Sequence, residues 1–275
     1  MVKTVTLTLL AGVMLARDAR ALHDPDITDA EFKCQAATSK VHVKFWAAKG
    51  KCLAKCITGA RRLPPINPEA DCIPPFGGRT LACIADPRRG VEAKAIAAID
   101  RACITVPAKT DCPECYSARS DPTDCSAYGS ALIVNGLSNP SQANLESQVD
   151  AFGFLFCNDN PNTPAENACE QGLVTAMSKF IGCKFKCYDK CHRATHRGTI
   201  AGGACNPPSP ADWRTQACLF DPIKGCEAKA IAALDEACFA PPADKPECLE
   251  FTPSGFVGLL ESWQDGNIPQ VYCVD

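Results

Sequence analysis

Cys183, Cys187 and Cys191 follow one another at intervals of four residues, which sets three thiols along one face of a helix. Thiolates in such an array are soft ligands suited to Cu(I), so a metal-binding or thiol-redox protein is one reading of the segment. Cys187-Tyr-Asp-Lys-Cys191-His192 is one residue too long for the Cys-x-x-Cys-His of covalent haem. His192 and His196 have the i, i+4 spacing of a chelating pair, but no carboxylate motif follows, and they read as two solvated polar residues near a helix end. Cys112-Pro-Glu-Cys115 imitates a redox Cys-x-x-Cys without the βαβ surroundings that motif needs, so both read as structural cysteines bonded elsewhere. The chain contains no Gly-x-Ser-x-Gly, phosphate loop, Rossmann glycine pattern, His-Glu-x-x-His or nucleic-acid motif. No catalytic residue, metal ligand or cofactor is assigned. The residues favour a protein that is not an enzyme, with a carboxylate-based site between the two halves left open.

The remaining chemistry is cationic. Lys44, Lys51, Lys55 and Arg62 step by 7, 4 and 7 residues, and Lys179, Lys186, Lys190 and Arg197 repeat the stripe. The net charge is −3, and a leader carrying Lys3, Arg17 and Arg20 against Asp18 would leave about −5 on the rest. A basic ridge present twice on an acidic chain suits an anionic polysaccharide or membrane surface. The plainer reading is a set of lysines flanking a buried stripe, with their aliphatic stems lying over it.

These residues sit in an internal duplication with an offset of 135 residues. Arg79–Cys103 aligns without gaps to Arg214–Cys238, with 17 of 25 positions identical. Phe45, Lys49, Lys51, Cys52, Lys55 and Cys56 match Phe180, Lys184, Lys186, Cys187, Lys190 and Cys191, and Cys34 matches Cys169. The tails match more weakly, through Leu145-Glu-Ser-x-x-Asp150 and Leu260-Glu-Ser-x-x-Asp265. The expected organisation is a signal peptide over 1–21, one repeat over 28–158 and a second over 163–275, joined by a linker rich in proline and asparagine.

Of the 20 cysteines, Cys183 and Cys226 occur in the second copy only, opposite Ala48 and Val91. Two cysteines gained or lost together are most simply a bonded pair. Cys34, Ala37, Val41, Phe45, Ala48, Cys52 and Cys56 step by three or four residues and predict a helix over Glu31–Gly59. A second helix is expected from Asp86-Pro87 to Cys103, with Ile96, Ile99 and Cys103 on one face. Glu166–Thr195 and Asp221–Cys238 repeat the two, and Ser254–Gln264 predicts a shorter third helix.

If each pair is antiparallel, facing residue numbers add to a nearly constant total. Cys169–Cys238 and Cys183–Cys226 satisfy this, and the series continues to Cys187–Cys218 and Cys191–Cys205, with the swap of these last two pairings as the alternative. The first copy then reads Cys34–Cys103, Cys52–Cys83, Cys56–Cys72 and Cys115–Cys157, with Cys112–Cys125 private to it and Cys248–Cys273 closing the second copy. Positions 91 and 103 lie about 120° apart on an ideal helix, so a bridge at Cys226 requires some departure at the helix start. The expected fold class is all-α: two tandem homologous disulfide-stapled antiparallel helical hairpins, each with an additional short helix.

Met1-Val2-Lys3, an apolar run over Thr4–Ala16 and Ala19-Arg20-Ala21 have the form of a leader cleaved after Ala21. With dense, even cysteine usage this predicts a secreted or periplasmic protein. No later segment is apolar enough to span a bilayer. The pattern Cys-Gln-x-Ala, Lys-Cys-x-x-Lys-Cys, Ala-Ile-Ala-Ala-Ile-x-x-Ala-Cys, Pro-Glu-Cys over Cys34–Cys115 resembles uncharacterised secreted cysteine-rich tandem-repeat proteins of bacteria. That resemblance implies no activity and no site. The expected function is a non-enzymatic structural or binding protein.

Overall fold

The computed structural model describes residues 27–62, 64–104, 113, 116, 129, 132–133, 163–241, 245–246 and 249–273. The described residues form seven α-helices and one 3-10 turn (Glu69–Cys72), with no strand among them. The helices are α1 (Asp29–Ala60), α2 (Gly78–Ala85), α3 (Val91–Cys103), α4 (Pro164–His196), α5 (Trp213–Phe220), α6 (Cys226–Cys238) and α7 (Pro253–Tyr272). The expected leader, the linker residues 158–162, and Cys112, Cys115, Cys125, Cys157 and Cys248 lie outside the described residues.

The two long helices begin two residues before the expected Glu31 and Glu166, because each opens with a capping box. Thr28 accepts from the Glu31 amide while the Glu31 carboxylate accepts from the Thr28 amide at 2.7 Å, and Thr163 with Glu166 repeats this. The helices paired with them are shorter than the sequence suggests. Asp86-Pro87 and Asp221-Pro222 are turns, not helix starts. Asp86 accepts from the amides of Arg88 and Arg89, and Asp221 from those of Ile223 and Lys224, so each carboxylate caps one tight turn before a new helix begins. Gly90 and Gly225 close these turns. A Cβ on Gly90 would sit 2.5 Å from the Ile84 carbonyl oxygen, and one on Gly225 2.5 Å from that of Asp221. The turn also answers the geometric objection at Cys226, which is the first residue of α6. On α3 it is Ala95 with Ile99 and Cys103 that is fully buried, while Ile96 is only partly so.

Disulfides tie each long helix to the shorter elements C-terminal to it. Cys34 is bonded to Cys103, Cys52 to Cys83 and Cys56 to Cys72; Cys169 to Cys238, Cys183 to Cys226, Cys187 to Cys218 and Cys191 to Cys205. The swapped arrangement is therefore not the one adopted. Cys273 is disulfide-bonded as well. The chain is a disulfide-rich, all-α protein of the kind that belongs to an oxidising compartment. Among the described residues no helix is long and apolar enough to cross a membrane.

α1 and α4 also pack against each other, and they run antiparallel. Arg61 near the end of α1 pairs with Glu170 near the start of α4, Gly182 faces Val43 mid-way, and Asp29 meets His196 at 2.8 Å at the other end. Each long helix is consequently buried on two sides. Thr38, His42, Trp46, Lys49 and Leu53, none of them in the expected stripe, are completely enclosed. α7 lies across this arrangement and is longer than Ser254–Gln264. It runs through Gly266 and Pro269 to Tyr272, where burial of Ile268, Val271 and Tyr272 offsets the donor that proline lacks.

Candidate anion-binding cleft

All eight cations of the two stripes are exposed: Lys44, Lys51, Lys55 and Arg62 on and just after α1, and Lys179, Lys186, Lys190 and Arg197 on and just after α4. Because α1 and α4 are antiparallel, the two ridges run from the middle of the pair toward opposite ends. At the α1 end the structure brings three of the cations together. Lys51, Lys55 and Arg62 line an open cleft of about 460 Å³ whose far wall carries Gln171 of α4. The Gln171 amide nitrogen donates to Thr58 Oγ1 at 3.3 Å, which anchors that wall to α1. An adjoining cavity of about 280 Å³ shares Lys55 and adds Arg79. Among the described residues, neither is lined by a carboxylate. Lys44 stands apart, beside a groove between α1 and α3.

Cys183, Cys187 and Cys191 of α4 are all bridged. Cys183, Cys187 and Cys226 nevertheless place their sulfurs within 4.8 Å of one another, with Cys187 Sγ 3.5 Å from Cys226 Sγ. A bridged sulfur is not the thiolate that binds metal. The reading of His192 and His196 as a solvated pair is overturned for His192. It is 2 % exposed and stacks on Tyr272 with ring centroids 4.0 Å apart, because α7 reaches far enough to cover it. His196 is turned toward Asp29 and lies on the Phe32 ring.

Sequence reading missed a buried charge cluster. Lys184 is fully enclosed, with Nζ 2.9 Å from Glu261 Oε1 and 2.7 Å from Asp265 Oδ1. Glu227 joins them. Partial burial, and then the hydrogen bond to Glu261 and its charge, push the Glu227 carboxyl up to about 7, while desolvation also raises that of Asp265. Three carboxylates thus share one ammonium, and a proton held by Glu227 relieves the excess. The signal was available in the repeat: Lys49 and Lys184, Glu92 and Glu227, and the two Glu-Ser-x-x-Asp tails all recur.

No family model, curated protein or solved structure matches the chain.

Proposed function

We propose that this is a secreted, disulfide-stapled binding protein, not an enzyme, that engages anionic polysaccharide through its basic clefts. The observation that carries the reading is the cleft at the α1 end. Three cations converge there with an amide wall and, among the described residues, no carboxylate, which is the arrangement that attracts a polyanion and leaves it room to lie. The leader read at residues 1–21, with cleavage after Ala21, supplies the route of export, and the bridges supply persistence outside the cell. Lys186, Lys190 and Arg197 would give a second, separate contact, so one polymer could be held at two points with gain in avidity.

The test is binding of the mature chain to dextran sulfate and to polygalacturonate. Reversing Lys51, Lys55 and Arg62 to Glu weakens both by tenfold or more, and added salt weakens the parent protein in the same direction. Unchanged binding after reversal at both ridges refutes the reading.

The clustered sulfurs of Cys183, Cys187 and Cys226 favour a second reading, a thiol-redox or Cu(I)-binding protein that acts once its bridges are reduced. Free-thiol titration of protein taken directly from its native compartment separates the two. Near-zero thiol supports the polysaccharide reading, and several accessible thiols per chain support the second.

A further inference from the structure

One of the differences between the two hairpins lies beside an apolar groove. In the second hairpin the Cys183–Cys226 bridge joins α4 to the start of α6, with Cα atoms 5.7 Å apart. The first hairpin has Ala48 and Val91 at those positions. Nothing ties the two helices together at this point, and a groove of about 280 Å³ lies there between α1 and α3. Its walls are Val41, Phe45, Ala48, Val91 and Ala95, and among the described residues its only charged lining comes from Lys44 and Lys94, both exposed at the mouth.

We propose that this groove binds a free acyl carboxylate, the chain lying along the alanine and valine walls and the carboxylate meeting Lys44 and Lys94. Three features fix the class of ligand. The walls are apolar, so the buried part is hydrocarbon. The described mouth carries two cations and no acid, so the exposed part is an anion. The volume falls just below the about 300 Å³ at which small-molecule pockets generally begin, which suits one unbranched chain. The site is distinct from the polysaccharide cleft, and Lys51, Lys55 and Arg62 take no part in it.

Calorimetric titration of the full mature chain with octanoate, decanoate and dodecanoate tests the proposal. Affinity rises along the series by up to about fourfold per methylene that enters the groove. Dodecanol binds at least tenfold more weakly than dodecanoate, and Lys44→Ser with Lys94→Ser removes that difference. Ala48→Cys with Val91→Cys installs the bridge the second hairpin already has; once thiol titration shows it closed, dodecanoate binding falls by tenfold or more. Ala48→Leu fills the same space without a bridge and gives the same loss. Lys51→Glu with Lys55→Glu leaves dodecanoate binding unchanged, so this proposal and the polysaccharide reading fail separately. Dodecanoate binding that survives both Ala48 variants, equal binding of alcohol and acid, or no binding of any chain overturns it. Phosphatidylglycerol vesicles that displace dodecanoate through the groove would assign it to a membrane surface and overturn it as well.

Discussion

His42 should lose its place in the core as the solution turns acid, and the loss can be sized. The ring is completely buried on α1, packed on Phe185 with centroids 4.3 Å apart, and its Nε2 lies 3.0 Å from Gln264 Oε1 of α7. Desolvation is the leading effect on its titration, opposed by the hydrogen bond to Gln264, and the outcome is a pKa lowered from 6.5 to about 4. A histidine depressed in the folded state contributes fully above its unfolded value and ceases to contribute as pH falls to the folded one. The window is therefore between 6.5 and about 4. Across it the unfolded chain takes up a proton that the folded chain refuses, at a cost of about 3 kcal/mol on going from pH 7 to pH 4. The parent protein alone will not display this cleanly. Glu227, raised from 4.5 to about 7, has the opposite sign, since the folded chain binds its proton first and gains stability as pH falls through that range. The assay is urea unfolding, bridges intact, of the parent and of His42→Gln at pH 7, 6, 5 and 4. The stability gap between the two proteins should shift by about 3 kcal/mol in favour of the variant at the acid end. A gap that stays constant with pH refutes the burial account of His42.

Two further outcomes are expected from the packing. Lys184→Met should destabilise the fold by about 3–5 kcal/mol at pH 7, because it strands Glu261 and Asp265 beside Glu227 without their ammonium, and part of the loss should be recovered at pH 5; a pH-independent loss would mean the lysine matters for its stem alone. Replacing Cys183 by Ala and Cys226 by Val, the residues of the first hairpin, should cost about 2–4 kcal/mol in the same assay, toward the lower figure because Cys169–Cys238 and Cys187–Cys218 already bracket the loop. An unchanged urea midpoint would show that this bridge constrains nothing.

The features legible in the chain were those it states twice. The paired loss of Cys183 and Cys226 against Ala48 and Val91 gave the hairpin its register, and the seven bridges among the described residues fall in that register. The exposed cation stripes came from helical spacing. The second buried face of α1 did not, because it is built from Thr38, Ser39, His42 and Lys49, whose polarity reads as solvent exposure until a partner helix is known. His192 was misjudged for the same reason, since its cover comes from the far end of α7, beyond a proline that conventionally ends a helix. The Asp86-Pro87 boundary failed because an aspartate capping one turn and an aspartate capping a whole helix offer the same sequence; only the crowding around Gly90 distinguishes them.

The antiparallel meeting of α1 and α4 has the form of the contact in a two-fold homodimer, where each side must complement itself. One polypeptide carrying both sides is released from that demand. Arg61 can face Glu170 while its counterpart His196 faces Asp29, a mismatch that two identical subunits could not sustain. Fusion thereby makes the partner permanent at any dilution, and it lets one half carry a crosslink that the other does without.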